Sequence, residues 1–327
     1  MEIHDVDENL NAELVSFYRG EKDGFVQVGD KKWFYPKKFR ILADELKNFE
    51  VRSDDIWITG YPRSGTTLTE ELCWLISHNL DYVKAKKIPL GTRVRFFESN
   101  IVINETTVKE VVDKFPSEEK QFRNMRNTLN ELKDAKERRV IKTHLPFELL
   151  PPDVIRKGCK IIYVCRYPKD VSVSYFCLQS SSRHIDFCGD FQKYWSYFRN
   201  GKCMFGPYFE HVKQGFDRIG SENFMFVFYE DFRKNRRGYI TKLSEFLENP
   251  LNENDLDKLE NYIDFDNFRK TAKIQVKNKN NEVMSFIRRG KVDGWKDYFT
   301  EEMNKEADPW IQMNTERIGI RFAQQKE

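Results

Sequence analysis

The sequence predicts an α/β fold in which helices flank a central parallel sheet. Short apolar runs at 55–59, 139–143, 159–164 and 224–229 carry this prediction, because strands buried on both faces of a parallel sheet are apolar throughout. Three of these runs lead into stretches with helical apolar spacing, which is typical of βαβ units. No linker, repeat or low-complexity tract separates them, so we expect a single domain over residues 1–327.

The first part of the chain is interpreted as an accessory segment, residues 1–50, ahead of a core that spans 55–300. Within the segment, apolar runs flank Gly29 and Asp30 and predict a hairpin. Inside the core, the charged stretch 104–139 has no strand pattern and predicts helices or surface excursions.

Three helices are predicted between the core strands. The first follows Gly60 and has apolar residues at helical spacing from Leu68 to Ile76. The second begins after Pro168, and the third ends near Pro250, because proline cannot continue a helix.

Composition narrows the class of protein. Hydrophobic residues make up 39% and charged residues 33% of the chain, which predicts a folded protein. The net charge is +3, from 55 basic and 52 acidic residues, which argues against a protein that coats nucleic acid. The N-terminus has no secretory pattern, no apolar run could span a bilayer, and the six cysteines have no metal-type spacing. We therefore expect a cytoplasmic protein with reduced thiols.

The most informative segment is the loop at 60–67, Gly-Tyr-Pro-Arg-Ser-Gly-Thr-Thr, between the first core strand and its helix. Backbone N–H groups and the helix dipole bind phosphate at such a position. The two glycines have P-loop spacing, but Thr66 stands where a Walker loop has lysine, and the cation is Arg63. The strand at 159–164 is followed by Arg166, at a position where a P-loop nucleoside triphosphatase has a magnesium-binding aspartate. The sequence therefore predicts an anion site that uses arginines and no metal.

Five segments, in order, resemble the cytosolic sulfotransferase family over about three quarters of the chain. They are Tyr61–Leu68, Lys142–Pro146, Cys165–Tyr175, Tyr229–Asp231 and Arg288–Lys296. The resemblance implies that the loop at 60–67 is a P-loop-like phosphosulfate-binding loop. Its arginine, where the family has lysine, is similar to that of insect members.

This resemblance implies an enzyme that moves a sulfuryl group from 3′-phosphoadenosine 5′-phosphosulfate (PAPS) to a hydroxyl of a small lipophilic acceptor, releasing 3′-phosphoadenosine 5′-phosphate (PAP). The acceptor would be a phenol, steroid, retinoid or other alcohol, as in xenobiotic or hormone metabolism. In-line transfer needs a base and cations for the leaving phosphate. The family pattern assigns the base to His144 and the cations to Lys142 and Arg63. The other histidines, including His184, are expected to be structural.

The resemblance also implies a cofactor site. The 5′-phosphate would be bound by Arg63, Ser64, Gly65, Thr66 and Thr67, and the 3′-phosphate by Arg166, Ser174, Arg288, Arg289 and Gly290. Tyr229 and Phe268 would contact the nucleoside, and Phe286 would also bind the cofactor. Leu68 replaces the tryptophan that stacks on adenine in the family, so we expect retained but weaker nucleotide binding.

The acceptor pocket is expected to use Tyr175, Phe176 and the pair at 96–97 as walls. The dimer segment of the family is degraded here, because Lys305 stands where the family has an acid. We therefore expect a monomer or a weak dimer. Two alternatives stay open, a P-loop kinase that uses Mg-ATP and a catalytically silent carrier of a nucleotide or lipophile.

Overall fold

The computed structural model describes residues 1–271, 275–278, 280–285 and 293–325. The strands in these ranges are β1 (Ile3–Asp5), β2 (Phe25–Val28), β3 (Trp33–Pro36), β4 (Ile56–Thr59), β5 (Arg95–Phe96), β6 (Val140–Lys142), β7 (Lys160–Cys165), β8 (Phe224–Phe228), β9 (Gln275–Lys277) and β10 (Val283–Ser285). Short 3₁₀ helices cover Ser99–Val102, Pro116–Glu118, Phe147–Leu149 and Gly294–Asp297.

Helices occupy most of the remaining described chain. They are α1 (Glu8–Phe17), α2 (Phe39–Lys47), α3 (Thr66–Ser77), α4 (Tyr82–Lys87), α5 (Leu90–Arg93), α6 (Glu105–Lys114), α7 (Glu119–Asp134), α8 (Asp153–Arg156), α9 (Pro168–Ser181), α10 (Phe191–Arg199), α11 (Tyr208–Phe216), α12 (Tyr229–Lys234), α13 (Arg236–Phe246), α14 (Glu253–Tyr262), α15 (Phe265–Thr271) and α16 (Glu301–Ile318). Within the described ranges, none of them combines the length and apolar character needed to cross a membrane.

The centre of the fold is a five-stranded sheet in the order β5-β6-β4-β7-β8, with all neighbours parallel. Ile56 in β4 pairs with Val140 in β6 and with Lys160 in β7. The carboxyl ends of these strands therefore meet at one edge, where open α/β sheets bind ligands. The predicted parallel sheet with flanking helices is confirmed, and β5 is an edge strand that the sequence analysis did not find.

Each face of this sheet packs against a separate apolar layer, because side chains alternate along a strand. Ile56 and Ile58 pack with Leu72 of α3 and Ile240 of α13. Trp57 points the opposite way and packs with the layer that includes α9, α10 and α16. The sheet is thus covered by helices on both sides.

The first fifty residues join the second of these layers. The predicted hairpin forms between β2 and β3, with Val28 opposite Trp33, and β1 pairs with β2 to complete a three-stranded antiparallel sheet. Val26, Trp33 and Tyr35 are fully buried in the same apolar layer as Trp57 of the central sheet.

The charged stretch 104–139, for which helices or surface excursions were expected, is mainly helical. Asn104 begins α6, because its side-chain oxygen accepts the N–H of Thr107 at 3.2 Å. Helices α6 and α7 bury only one side each, with Val108 and Phe122 in a small apolar cluster of their own.

Candidate active site

A cavity of about 310 Å³ opens at the carboxyl edge of the central sheet. Its wall combines the loop after β4, the first turn of α3, the end of β6 and one side of α9. Most of the predicted site residues line it, namely Arg63, Gly65, Thr66, Thr67, Leu68, Lys142, His144, Arg166, Ser174, Tyr229 and Phe268. Residues more than 200 positions apart in the chain are thereby brought to one cavity.

Five predicted site residues are not part of this wall as described. Ser64 is buried inside its loop and does not line the cavity, and its contact with the 5′-phosphate stays a prediction. Phe286, Arg288, Arg289 and Gly290 lie outside the described residues.

The loop after β4 depends on two glycines. Gly60 has φ = +151°, and a Cβ there would lie 2.3 Å from the carbonyl oxygen of Val164 in β7. Gly65 has φ = +110°, and a Cβ there would lie 2.5 Å from the ring of Tyr229. Gly65 is also the N-cap of α3, so the first-turn N–H groups of this helix have no partner within it. They and the helix dipole form an anion site at the cavity wall.

Arg63 connects this loop to two other elements. Its backbone has φ = +73°, a left-handed conformation that a non-glycine residue adopts at some cost. Its side-chain Nε donates to Ser174 Oγ of α9 at 2.9 Å, and its carbonyl oxygen accepts from Arg166 Nη1 at 3.3 Å. The guanidinium of Arg166 lies 4.6 Å from the ring centroid of Tyr229. The side chains of Arg63, Arg166 and Ser174, which come from three different parts of the fold, are thus held next to one another.

His144 lies just beyond β6 and is 6% exposed. Its Nδ1 is 2.6 Å from the carbonyl oxygen of Gly60, which can only accept a hydrogen bond. Nδ1 therefore carries the proton, and Nε2 is the nitrogen left to accept one. Burial, followed by the charge of Lys142, lowers the pKa of His144 well below its ordinary value. The imidazole is neutral at physiological pH, which is the state a general base requires.

Lys142 is the last residue of β6 and is held by a buried carboxylate. Its Nζ lies 3.1 Å from Glu70 Oε1 of α3, and 5.4 Å from the ring centroid of Phe96. Glu70 is 4% exposed at its side chain and Lys142 13%. The ammonium group is thus fixed beside the imidazole at the end of the same strand.

Glu98 supports the backbone just beyond β6, and sequence reasoning missed it. One carboxylate oxygen accepts the backbone N–H of His144 at 2.5 Å, and the other accepts from Thr143 Oγ1 at 2.8 Å. Burial raises the pKa of Glu98 to about 7. No local pattern could have found it, since the two partners are 46 residues apart in the sequence.

The predicted aromatic walls are half correct. Phe96 and Tyr175 line the cavity, whereas Phe97 and Phe176 do not. Phe97 packs 5.1 Å from the Trp57 ring in the core, and Phe176 packs 5.4 Å from the Phe191 ring. Neighbouring residues on a strand or helix point in different directions, so only one of each pair can face the cavity. The apolar wall also uses residues that were not predicted: Val102, Met125, Leu178, Ile185, Met204 and Val276.

The polar groups of the cavity wall are suited to an anionic ligand. In the described part of the chain, no group of three or more His, Cys, Asp or Glu side chains is placed to hold a metal ion. The cavity wall contains three arginines (Arg63, Arg166 and Arg233), Lys142 and the first turn of α3, and these groups fit a ligand with several phosphate or sulfate groups.

Comparison with known proteins agrees with this chemistry. A family model described as a sulfotransferase domain matches residues 53–319. Luciferin sulfotransferase of Photinus pyralis is 31% identical over 298 residues, which cover 88% of this chain and 78% of that protein. Sulfotransferase 1E1 of Bos taurus is 31% identical over 291 residues, which cover 88% of this chain and 92% of that protein.

Two solved structures of retinol dehydratase are also similar to this chain. One is a complex with androsterone and the inactive cofactor PAP, with a TM-score of 0.89 and 28% identity over 99% of this chain and 98% of that chain. The other is a complex with retinol and PAP, with a TM-score of 0.88 and 28% identity over 98% of each chain.

Proposed function

This chain belongs to the cytosolic sulfotransferase family of PAPS-dependent enzymes that act on small hydroxyl acceptors, and we propose that its acceptor is an elongated apolar alcohol and that His144 is the general base. Membership in this family decides against a P-loop kinase. The single observation that carries the proposal is the buried, neutral imidazole of His144, hydrogen-bonded to the phosphate loop itself through Gly60.

The proposed mechanism assigns each step to a residue. PAPS supplies a sulfur electrophile and a phosphate leaving group. Nε2 of His144 accepts the proton of the acceptor hydroxyl, because Nδ1 is already engaged with the Gly60 carbonyl. Lys142 and Arg63 stabilise negative charge on the transferring group and the leaving phosphate.

Nucleotide binding is assigned to the other half of the cavity. The first turn of α3 donates N–H groups to the 5′-phosphate, and Arg166 with Ser174 binds the 3′-phosphate. Supporting this, Arg63 already bonds Ser174 at 2.9 Å, so the residues proposed for the two phosphates lie next to each other. Tyr229, Leu68 and Phe268 line the same cavity and would contact the nucleoside.

The acceptor class is inferred from the rest of the wall. The half that does not face the phosphate loop is mainly apolar, with Val102, Met125, Leu178 and Ile185. An apolar cavity of this kind takes up lipophilic, hydrocarbon-rich molecules best. Retinol and androsterone, bound in the similar retinol dehydratase structures, are molecules of that kind.

A radiolabelled-sulfate transfer screen tests the proposal. The purified chain is incubated with labelled PAPS and with phenols, sterols, retinoids and amines at matched concentrations. We expect label in sterol and retinoid alcohols at the highest kcat/KM. Preferential labelling of amines or of small phenols would refute the assigned acceptor class.

A second outcome is favoured by the TM-score of 0.89 to retinol dehydratase. We propose that an allylic alcohol, once sulfated, loses sulfate from its carbinol carbon and a proton from the far end of its conjugated system, which leaves an additional C=C bond. Mass spectrometry of the retinoid products distinguishes the two outcomes. A stable sulfate ester as the only product would refute the elimination step.

A further inference from the structure

The cavity follows helix α9 from the phosphate loop to the end of the helix. Ser174, Leu178 and Ser182 all line it at four-residue spacing, so they lie on one face of the helix. Ser174 bonds Arg63 at the phosphate end. Eight residues at about 1.5 Å each place Ser182 about 12 Å further along. Ser182 is the C-cap of α9 and therefore marks the end of the cavity remote from the nucleotide.

This remote end contains a polar pair in an apolar surrounding. Ser182 Oγ lies 2.9 Å from Nδ1 of His184, and both residues line the cavity. The other described residues that we place in this half of the wall are apolar: Val102, Met125, Leu178, Ile185 and Val276. A hydroxyl and an imidazole in such a wall are positioned to orient a ligand by hydrogen bonds.

The pair is uncharged at physiological pH. Burial, and then the charge of Arg183, lowers the pKa of His184 to about 4, so its imidazole is neutral above that pH. The guanidinium of Arg183 is itself paired with Glu118 at 2.5 Å and does not line the cavity. A charged group on the ligand would lose its hydration here without a counter-charge. An uncharged ketone or hydroxyl would lose little hydration free energy and would gain a hydrogen-bond partner.

We propose that Ser182 and His184 form a specificity site that hydrogen-bonds an uncharged polar group at the end of the acceptor opposite the sulfated hydroxyl. The substrate class is thereby narrowed to elongated apolar alcohols with a ketone or second hydroxyl at the far end. The inference rests on the proposed function, because it assumes that the acceptor hydroxyl lies at His144. Nδ1 of His184 makes the shorter contact with Ser182 Oγ, at 2.9 Å against 3.4 Å for Nε2, so Nε2 is the ring nitrogen that can exchange its weaker contact for the ligand.

Androsterone and the matched steroid alcohol that lacks its ketone test this directly. Affinity of each for the enzyme–PAP complex is measured by titration, and kcat/KM for sulfuryl transfer is measured in parallel. The wild-type chain should favour androsterone by about fivefold in both readouts, the effect of one uncharged hydrogen bond. His184→Leu should reduce that ratio to about one and leave the analogue within about twofold of wild type.

Two further variants separate recognition from structure. His184→Gln keeps a hydrogen-bonding group and should retain most of the preference for androsterone. Ile185→Val changes an apolar neighbour on the same wall and should leave the ratio unchanged. A ratio that is unchanged in His184→Leu, or equal losses for both ligands, would overturn the inference.

The two proposals fail in different ways. If the titration ratio responds to His184→Leu but neither steroid is sulfated, the proposed acceptor chemistry is wrong while the binding site stands. If both steroids are sulfated at the same kcat/KM by the wild-type chain, the specificity site is wrong while the proposed function stands.

Discussion

Leu68 faces the cavity from the first turn of α3, where the sulfotransferase family has a tryptophan. Phe268, which is 4% exposed, and Tyr229 line the same cavity. We predict that Leu68→Trp increases the affinity for PAP, because an indole face would stack on adenine. Stacking of one base on an aromatic side chain is worth about 1–3 kcal/mol relative to alanine. Leucine already supplies apolar contact, so the gain should be about 1 kcal/mol, or about fivefold in Kd.

Isothermal titration with PAP measures this change. Leu68→Ala is the matched control and should weaken binding by about the same factor, since it removes apolar contact at the same position. Unchanged affinity in both variants would show that Leu68 does not contact the base, and the assignment of the nucleoside to this part of the cavity would be refuted.

Three other predictions concern the loop, the catalytic strand end and the oligomer. Gly65→Ala should weaken PAP binding at least about tenfold, because of its positive φ and the close Tyr229 ring. Gly91→Ala, whose added Cβ would meet no atom within 4 Å, should leave PAP binding unchanged. Equal PAP titration curves for the two variants would contradict this prediction. The free energy of unfolding should fall by about 3 kcal/mol from about pH 4.5 to pH 7, because folded Glu98, with its pKa raised to about 7, keeps a proton that the unfolded chain has lost. In denaturant titrations Glu98→Gln should make the free energy of unfolding less dependent on pH, while the amide oxygen still accepts the His144 N–H. An unchanged pH dependence would refute the raised pKa of Glu98. Sedimentation at micromolar concentration should show a monomer or weak dimer, and a stable dimer through the C-terminal segment would contradict this.

The sequence predicted the central sheet well for a physical reason. Strands β4 and β7 are buried on both faces and are therefore continuous apolar runs. Strand β8 is an edge strand and only partly buried, but all five of its residues are apolar. Strand β5 has only two residues, one of them Arg95, and its pairing with β6 is a tertiary contact that leaves no local pattern. Strand β1 is short and mostly polar and was missed for the same reason.

The phosphate loop and His144 could be found because their residues are contiguous in the sequence. Glu98 could not be found, since a carboxylate two residues beyond β5 has no pattern until the fold places it against His144 N–H. The choice between Phe96 and Phe97 required the register of β5. His184 was expected to be structural, and only the path of the cavity along α9 shows it beside a ligand space.

The role of His144 as general base is tested most directly by the His144→Ala variant, assayed for both sulfuryl transfer and PAP binding. A buried neutral imidazole that acts as general base contributes about 10²–10⁴ to the rate. We predict a loss of transfer of at least about a hundredfold, with the Kd for PAP within about twofold of wild type, since His144 lies beside the phosphate loop and is not assigned to the nucleotide. Undiminished transfer in this variant would contradict the assignment of His144 as the general base.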